Sequence, residues 1–142
     1  MRTIAAMISI ALAAPACASA AASESPRLML NVETGASTGA VMVSLFDSET
    51  AYVGGPPVRR ARIDVAAGER STVFADLPAG TYAIKAFHDV NGDGKMNANP
   101  FGIPIEPVAF SNNAPARMGP PRWESARLTI EGATVQTLRF AK

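Results

Sequence analysis

Short segments in which apolar and polar residues alternate recur between residues 28 and 140, separated by clusters of Gly, Pro, Asn and Asp. This two-residue period is typical of half-buried strands. No apolar stripe of helical period and useful length follows residue 20. Because each sheet must bury one face, the pattern predicts an all-β fold, a two-sheet antiparallel sandwich of about seven strands. The candidate strands are 28–32, 39–47, 59–65, 70–74, 81–88, 126–130 and 135–140.

A turn with a recognisable signature precedes the fifth candidate strand. It reads Leu77-Pro78-Ala79-Gly80-Thr81-Tyr82, with Leu77 expected to close the core from below. The phrase resembles the Leu-Pro-x-Gly-x-Tyr signature of transthyretin-like (prealbumin-like) sandwiches, an Ig-like architecture found in carboxypeptidase regulatory domains and bacterial surface repeat domains. Those relatives are mostly binding or spacer modules, so the resemblance implies binding rather than catalysis, although a fold alone does not define a function.

The N-terminus is typical of a secretory signal peptide over residues 1–20. Arg2 supplies the positive charge, an apolar run follows, and Ala18-Ser19-Ala20 forms the cleavage box. The apolar run is too short to span a bilayer. Cys17 is a weaker candidate for lipidation, because the preceding Ala14-Pro15-Ala16 lacks the leucine and small-residue run of lipoprotein sites. We therefore expect an exported protein, periplasmic or extracellular, with a polar leader at 21–26 and one domain at 27–142.

The charge balance argues against nucleic acid as a partner. Outside the first twenty residues, 12 Lys and Arg face 12 Asp and Glu, so no long-range field of either sign is expected. The one local cluster, Arg59, Arg60 and Arg62, falls in a strand-like alternation. It is interpreted as the solvated face of a strand, with a docking patch for an anionic glycan or phosphate as the alternative.

Residues 95–122 are rich in proline and contain no strand pattern longer than a few residues. A segment of this length is unusual as a structureless loop. Its apolar residues favour order over disorder, so we expect a flap packed over one end of the sandwich. The apolar residues expected to anchor this flap are Phe101, Ile103, Ile105, Val108, Phe110, Met118 and Trp123.

The stretch from His88 to Asn97 places oxygen-bearing groups at alternate positions, followed by a glycine. This spacing suits a hard cation that takes six to eight oxygen ligands, and it predicts a candidate calcium loop. Position 12 of such a loop should offer a carboxylate, but Pro100 stands there, so Glu106 is expected to fold back as a remote ligand. The candidate ligands are Asp89, Asn91, Asp93, the carbonyl of Lys95, Asn97 and Glu106. The alternative is a plain turn with Asx-type hydrogen bonds.

A second set of residues suggests a small ligand groove beneath the flap. Asn112 and Asn113 can bond a ligand hydroxyl, and Phe110 and Trp123 can stack on a sugar ring, with core packing as the alternative. His88 is the only histidine and shares one strand face with Tyr82, Ile84 and Ala86. Catalysis would need His88 to act with Asp89, Glu106 or Ser111. Zinc is disfavoured because the usual nitrogen and sulfur ligands are lacking.

Four motifs occur in an order that is hard to obtain by chance: residues 88–95, 101–106, 110–114 and 119–121. Together they resemble the bacterial secreted family known as domain of unknown function 2141, over about residues 28–140. The resemblance implies an exported sandwich without an established activity. Asn97 stands where members often have aspartate, which weakens the charge of the loop.

Three functional hypotheses follow. The first is a non-enzymatic exported module with a weak calcium-stabilised loop and an unknown protein or glycan partner. The second is a small periplasmic hydrolase that uses His88. The third is a purely structural accessory protein of the cell envelope.

Overall fold

The computed structural model describes residues 23–140; the expected signal peptide 1–20, Cys17 and the first residues of the leader lie outside this range. The described chain contains eight strands and two short α-helices. The strands are β1 (Arg27–Glu33), β2 (Ala40–Phe46), β3 (Arg59–Ile63), β4 (Ser71–Phe74), β5 (Gly80–Asp89), β6 (Val108–Phe110), β7 (Leu128–Ile130) and β8 (Ala133–Arg139). The helices are α1 (Glu49–Gly54) and α2 (Trp123–Ala126).

The strands form two sheets, which confirms the predicted all-β sandwich. One sheet has the order β4-β1-β8, and the other has the order β3-β2-β5-β6, with β7 pairing the first residues of β5. The pairing departs from the antiparallel expectation in one place, because β1 and β8 run parallel over seven residue pairs. The alternation of apolar and polar residues in β1 and in β8 is compatible with parallel and with antiparallel pairing. Only the long-range pairing of these two strands decides their relative direction.

The core lies between the sheets and follows the sequence alternation. In β1, Leu28, Leu30 and Val32 are buried and their neighbours are exposed or half-buried. In β5, Tyr82, Ile84, Ala86 and His88 are buried on one face. The apolar residues Tyr82, Ile84 and Ala86 belong to the same core cluster as Leu77, so Leu77 packs into the core as expected. The face that carries His88 therefore points inward.

A second, smaller apolar cluster lies outside the main core and was not predicted. It contains Phe46, Tyr52, Ala83 and Ala126, with Trp123 packed against them. Helix α1 supplies Tyr52, and α2 supplies Ala126 and Trp123. Helix α1 begins after Ser48, whose hydroxyl accepts a hydrogen bond from the Ala51 N–H, a common N-terminal cap. Both helices are too short to display a 3.6-residue repeat in the sequence.

The proline-rich segment is more closely tied to the sandwich in some parts than in others. Its residues 108–110 form β6 and pair with β5, and Ser111–Asn113 form a 3₁₀ turn. Phe110 is buried and Val108 is half-buried. The expectation that all the apolar residues anchor the segment was wrong for four of them, because Phe101, Ile103, Ile105 and Met118 are exposed.

Within the described residues, no helix is long and apolar enough to cross a membrane.

Candidate functional site

The buried carboxylate of Asp89 organises the loop that follows β5. Asp89 is 2% exposed. Its Oδ1 accepts hydrogen bonds from the N–H groups of Gly92 at 2.9 Å and Asp93 at 3.2 Å, and its Oδ2 accepts one from Gly94 at 2.8 Å. Gly92 and Gly94 have φ of 75° and 77°, a region that glycine enters without steric cost. The two glycines thus let the backbone wrap around one carboxylate.

Glu106 folds back onto the same loop from the proline-rich segment. It is 9% exposed. Its Oε1 accepts a hydrogen bond from the Val90 N–H at 3.2 Å, and its Oε2 accepts one from the Asn97 N–H at 3.1 Å. The carboxylate therefore joins the beginning and the end of the loop. The sequence-predicted association of Glu106 with residues 89–97 is present in the structure.

The side chains at positions 3, 5 and 9 of the candidate loop converge at its exposed side. Oδ2 of Asp93 accepts hydrogen bonds from Nδ2 of Asn97 at 3.0 Å and Nδ2 of Asn91 at 3.3 Å. Nδ2 of Asn91 also lies 3.1 Å from Oδ1 of Asn97. The hydrogen bond from the Asn97 side chain is the largest of the effects that lower the pKa of the Asp93 carboxyl. Asp93 is therefore ionised at neutral pH.

The predicted ligand set divides into two groups. Asp89 and Glu106 direct their oxygens at backbone N–H groups, whereas Asn91, Asp93 and Asn97 bond one another. Lys95 is exposed, and its N–H donates to Oδ1 of Asp93 at 2.8 Å. Among residues 23–140, no three His, Cys, Asp or Glu side chains are grouped so that they could hold a metal ion. A cation in this loop would have to use amide and carbonyl oxygens as well as carboxylates.

His88 is fully buried at the end of β5. Its Nε2 lies 2.7 Å from the carbonyl oxygen of Thr38, and its ring packs edge-on against Phe140 with ring centroids 6.1 Å apart. Its Nδ1 has no hydrogen-bond partner among the described residues. The short contact requires a proton on Nε2, because a carbonyl oxygen can only accept. The ring therefore fastens the loop before β2 to the end of β5.

Ser111 is also buried, and its hydroxyl is occupied. Oγ donates to the carbonyl oxygen of Ala126 and accepts a hydrogen bond from the Ile84 N–H at 2.9 Å. A serine nucleophile needs its proton directed at a base. Since the Ser111 proton is directed at a backbone carbonyl, the structure does not assemble the pair of Ser111 and His88 considered from the sequence.

Asn112 and Asn113 have left-handed backbones and bond the surrounding main chain. Asn112, with φ of 59°, donates from Nδ2 to the carbonyl oxygen of Arg127 at 2.9 Å. Asn113 donates from Nδ2 to the carbonyl oxygen of Thr137 at 2.9 Å and accepts the Arg139 N–H at 2.8 Å. The amide of Asn113 thus pairs with β8 much as a neighbouring strand would. These side chains fix the 3₁₀ turn in place.

The two aromatic residues of the expected groove line separate cavities. Phe110 and Asn113 line one of about 520 Å³, and Trp123 lines another of about 530 Å³ with Tyr52 and Lys85. The structure therefore does not combine the residues expected to form one ligand groove, which are His88, Phe110, Ser111, Asn112, Asn113 and Trp123. Both cavities are within the size range of small-molecule sites.

The cavity beside Trp123 contains a cation that the sequence analysis did not single out. The Lys85 ammonium lies 4.3 Å from the centroid of the Tyr52 ring and 5.2 Å from that of Phe46, and it donates to the carbonyl oxygen of Tyr52. Burial lowers the pKa of Lys85. The only sequence signal for this residue was a lysine in the middle of an otherwise apolar strand. A lysine in that position is common on strands that face solvent, so it did not indicate a cavity.

The arginine cluster lies on β3, at the edge of the larger sheet. Arg60 and Arg62 are exposed on one face, while Ile63 on the opposite face is buried; Arg59, at the first position of the strand on the Ile63 side, is also exposed. Arg62 pairs with Asp64 at 3.0 Å. The inward and outward faces of this strand follow the predicted alternation.

The comparisons with known proteins give one match. The model of a family described as "Uncharacterized protein conserved in bacteria (DUF2141)" matches residues 32–137, a span that contains the loop 89–97, Glu106 and Ser111–Asn113. No curated protein and no solved structure matches the chain. Since the family model covers most of its length, the chain belongs to the bacterial family DUF2141.

Proposed function

We propose that the protein is an exported, non-catalytic β-sandwich module in which a calcium ion stabilises the loop 89–97. The observation that carries this proposal is the convergence of Asn91, Asp93 and Asn97, whose side-chain polar atoms lie 3.0–3.3 Å apart. These are positions 3, 5 and 9 of a loop that starts at Asp89. Calcium loops take ligands from those positions, with glycine at position 6, here Gly94.

The amide side chains give the cluster a simple way to accept a cation. Oxygen and nitrogen of an asparagine amide have nearly the same shape, so a half-turn of the terminal bond exchanges them. Rotation of Asn91 and Asn97 would turn their oxygens toward the ionised Asp93 and leave three oxygen ligands around one point. The Lys95 carbonyl and water would contribute others. With one exposed carboxylate at its centre, this site would have a Kd of roughly 10⁻⁴ to 10⁻³ M, as extracellular modules do.

Asp89 and Glu106 have a supporting role in this proposal. Their carboxylates hold the N–H groups of five loop residues, namely Val90, Gly92, Asp93, Gly94 and Asn97. Ligands that are held in place before the ion arrives lose less freedom when it binds. Each carboxylate also has lone pairs left for a cation, since an ionised carboxyl offers about four acceptor positions.

Thermal unfolding of the purified protein with and without 10 mM CaCl₂ tests the metal proposal. Binding to the folded state at this Kd would add about 1.4–2.7 kcal/mol of stability, which raises the Tm by several degrees. The informative variant is Asp93→Ser, which should abolish the shift. Its matched control is Asp64→Ser, because Asp64 also accepts a backbone N–H in a turn and an N–H from a side chain. The control should keep the shift.

The proposal fails if calcium leaves the Tm of the wild type unchanged, or if both variants lose the shift equally. Magnesium at the same concentration serves as a second control. It prefers a small octahedral shell and gives up its waters reluctantly, so its effect should be smaller.

Export and the type of sandwich complete the proposal. The signal-like pattern of residues 1–20 supports export. N-terminal sequencing of the protein recovered from the cell envelope should give a sequence that begins near Ala21.

A transthyretin-like arrangement is supported by the turn before β5, in which Leu77 packs into the core and the Tyr82 hydroxyl donates to the Pro78 carbonyl at 2.6 Å. Such modules bind or space other molecules, so the partner would be a protein or a glycan.

A further inference from the structure

Strand β6 pairs on one side only, because it is the last strand of the larger sheet. The His88 N–H donates to the Pro107 carbonyl at 2.8 Å, so these residues form a hydrogen-bonded pair at the end of the antiparallel ladder between β5 and β6. In such a ladder, bonded pairs alternate with pairs that exchange no hydrogen bonds. The next bonded pair is therefore Ala86 with Ala109.

Two residues of β6 direct main-chain groups away from β5. Val108 and Phe110 flank Ala109 in the register, so their N–H and carbonyl groups face the outer side of the strand. Within residues 23–140, no hydrogen bond satisfies the Val108 N–H, the Val108 carbonyl or the Phe110 N–H. Alternating donors and acceptors of this kind are what a further extended chain pairs with.

A cavity lies along this open edge. It has a volume of about 520 Å³ and is lined by all three residues of β6, by residues 105–107 and 113–116, and by Arg139 of β8. The cavity therefore lies between β6 on one side and the following chain and β8 on the other. The edge is recessed, so one extended segment can lie beside it, whereas the sheet of a folded partner would first meet residues 113–116.

Two other strand edges are protected against pairing, and β6 is not. On β8, Nδ2 of Asn113 donates to the Thr137 carbonyl, and Oδ1 of Asn113 accepts the Arg139 N–H. The opposite edge of the larger sheet, β3, carries three exposed arginines, and charged side chains discourage strand addition. The sequence of β6 is Val-Ala-Phe, which has no charge.

The charged side chains that line the cavity already have partners. Glu106 directs its two oxygens at the N–H groups of Val90 and Asn97. Nε of Arg139 lies 3.0 Å from Oε2 of Glu33. The other described lining residues are apolar, except for Asn113. The lining therefore suits a neutral segment with apolar side chains rather than an acidic or a basic one.

We propose that β6 binds an extended, uncharged peptide segment of a partner protein, which adds to the larger sheet as an extra strand. In this mode of recognition, main-chain hydrogen bonds give affinity and alternate side chains give specificity. A second copy of the chain fits less well, because a stable interface buries about 800 Å² on each partner and a three-residue edge strand supplies only part of that area. The inference rests on the proposed role as a binding module, and it does not depend on the calcium site.

Amide hydrogen exchange in the free protein, followed by NMR, tests whether the edge is open. The N–H groups of Val108 and Phe110 should exchange at least tenfold faster than that of Ala109, which is bonded to β5. If all three amides are equally protected, another segment already occupies the edge and the inference is wrong.

Titration with the peptide acetyl-Thr-Val-Thr-Val-Thr-amide tests binding. Its β-branched residues favour an extended chain, and EDTA in the buffer keeps the result separate from the test of the calcium site. The peptide should shift the amide signals of Val108 and Phe110 saturably and slow their exchange. The control peptide carries N-methyl groups on its three central amides and should bind at least tenfold more weakly, because it lacks the donors that pair with β6.

The variant Val108→Pro removes one outward donor from the edge. Because this N–H points away from β5, no ladder bond is lost, and proline is tolerated at such positions. Peptide binding should weaken about tenfold, since the donor is lost and the ring adds bulk at the edge.

The matched control is Val73→Pro on β4, an edge strand of the smaller sheet. The Val32 N–H donates to the Arg70 carbonyl, so by the same alternation the N–H of Val73 points away from β1. This variant should bind the peptide as the wild type does.

The inference is overturned if the peptide leaves the Val108 and Phe110 signals unchanged, if the methylated peptide binds equally well, or if both proline variants bind equally. A concentration-dependent dimer that Val108→Pro abolishes, without peptide binding, would also contradict it, because the occupant would then be a second copy of the chain. The methylated peptide acts on the folded wild type, so the test remains decisive if Val108→Pro does not fold.

Discussion

Oε2 of Glu106 lies 3.1 Å from the backbone nitrogen of Asn97, and this contact ties the proline-rich segment to the end of the loop that begins at Asp89. The second oxygen of the same carboxylate holds the Val90 N–H. One side chain therefore closes a loop whose two ends are seven residues apart in the chain.

Replacement of Glu106 by alanine should destabilise the protein by about 1–3 kcal/mol, because two part-buried N–H groups lose their acceptor. Glu124→Ala is the control, since Glu124 is exposed on α2 and should change stability by less than about 0.5 kcal/mol. Urea unfolding of both variants without calcium measures the difference. If the two variants unfold at the same urea concentration, the carboxylate of Glu106 does not hold the loop.

Gly39 packs against the start of the same loop and tolerates no side chain. A Cβ at this position would lie 1.8 Å from the carbonyl oxygen of Asp89, and φ is +68°. Gly39→Ala should therefore unfold more easily than Gly68→Ala, by at least about 2 kcal/mol, because backbone must move to relieve the clash. Gly68 has φ of +91° but open space around it, so its substitution costs only the backbone strain, about 1–2 kcal/mol. Equal midpoints in urea would contradict the close approach of Gly39 and Asp89.

Sequence alternation was sufficient to predict which face of the longer strands is buried. It applies to β2 and β5, where a seven- to ten-residue strand repeats the pattern several times. It could not find β6, because these three residues lie inside the proline-rich segment, where no longer alternation marks a strand. Helix α1 has only six residues, and its one usable signal was the cap residue Ser48. The parallel pairing of β1 with β8 joins residues about 106 positions apart, which no local pattern encodes.

The candidate site, like the fold, could be predicted from the sequence only in part. The association of Glu106 with the loop could be predicted, because Pro100 stands where a calcium loop should offer a carboxylate and Glu106 carries the next carboxylate along the chain. The roles of Ser111, Asn112 and Asn113 could not, because their partners are main-chain groups 13 to 27 residues away that no side-chain pattern in the sequence identifies. Hydrophobicity was misleading for Phe101 and Ile103, which are exposed. An apolar residue in the sequence indicates a side chain that is more stable away from water. It does not indicate whether the protein itself buries that side chain.

Tyr52 links α1 to the segment before α2 and gives the protein a measurable response to alkaline pH. Its hydroxyl donates to the Pro121 carbonyl at 2.9 Å, and burial raises its pKa to about 12. In the unfolded chain the hydroxyl has its ordinary pKa of 10.0. The folded protein thus holds this proton more tightly than the unfolded chain does, so the stabilisation is complete below pH 10 and is lost as the pH rises toward 12.

The stability of the wild type should therefore fall between pH 10 and pH 12 more steeply than that of Tyr52→Phe, which has no proton to lose at this position. The variant should be less stable at pH 7 by about 0.5–1.5 kcal/mol, because the Pro121 carbonyl loses its donor. Urea unfolding at pH 7, 10, 11 and 12 measures both effects. Tyr82 is the only other tyrosine and is present in both proteins, so the difference between their absorbance titrations at alkaline pH isolates Tyr52. A difference curve centred near 10, with parallel stability profiles, would show that the Tyr52 hydroxyl is not buried against the chain before α2.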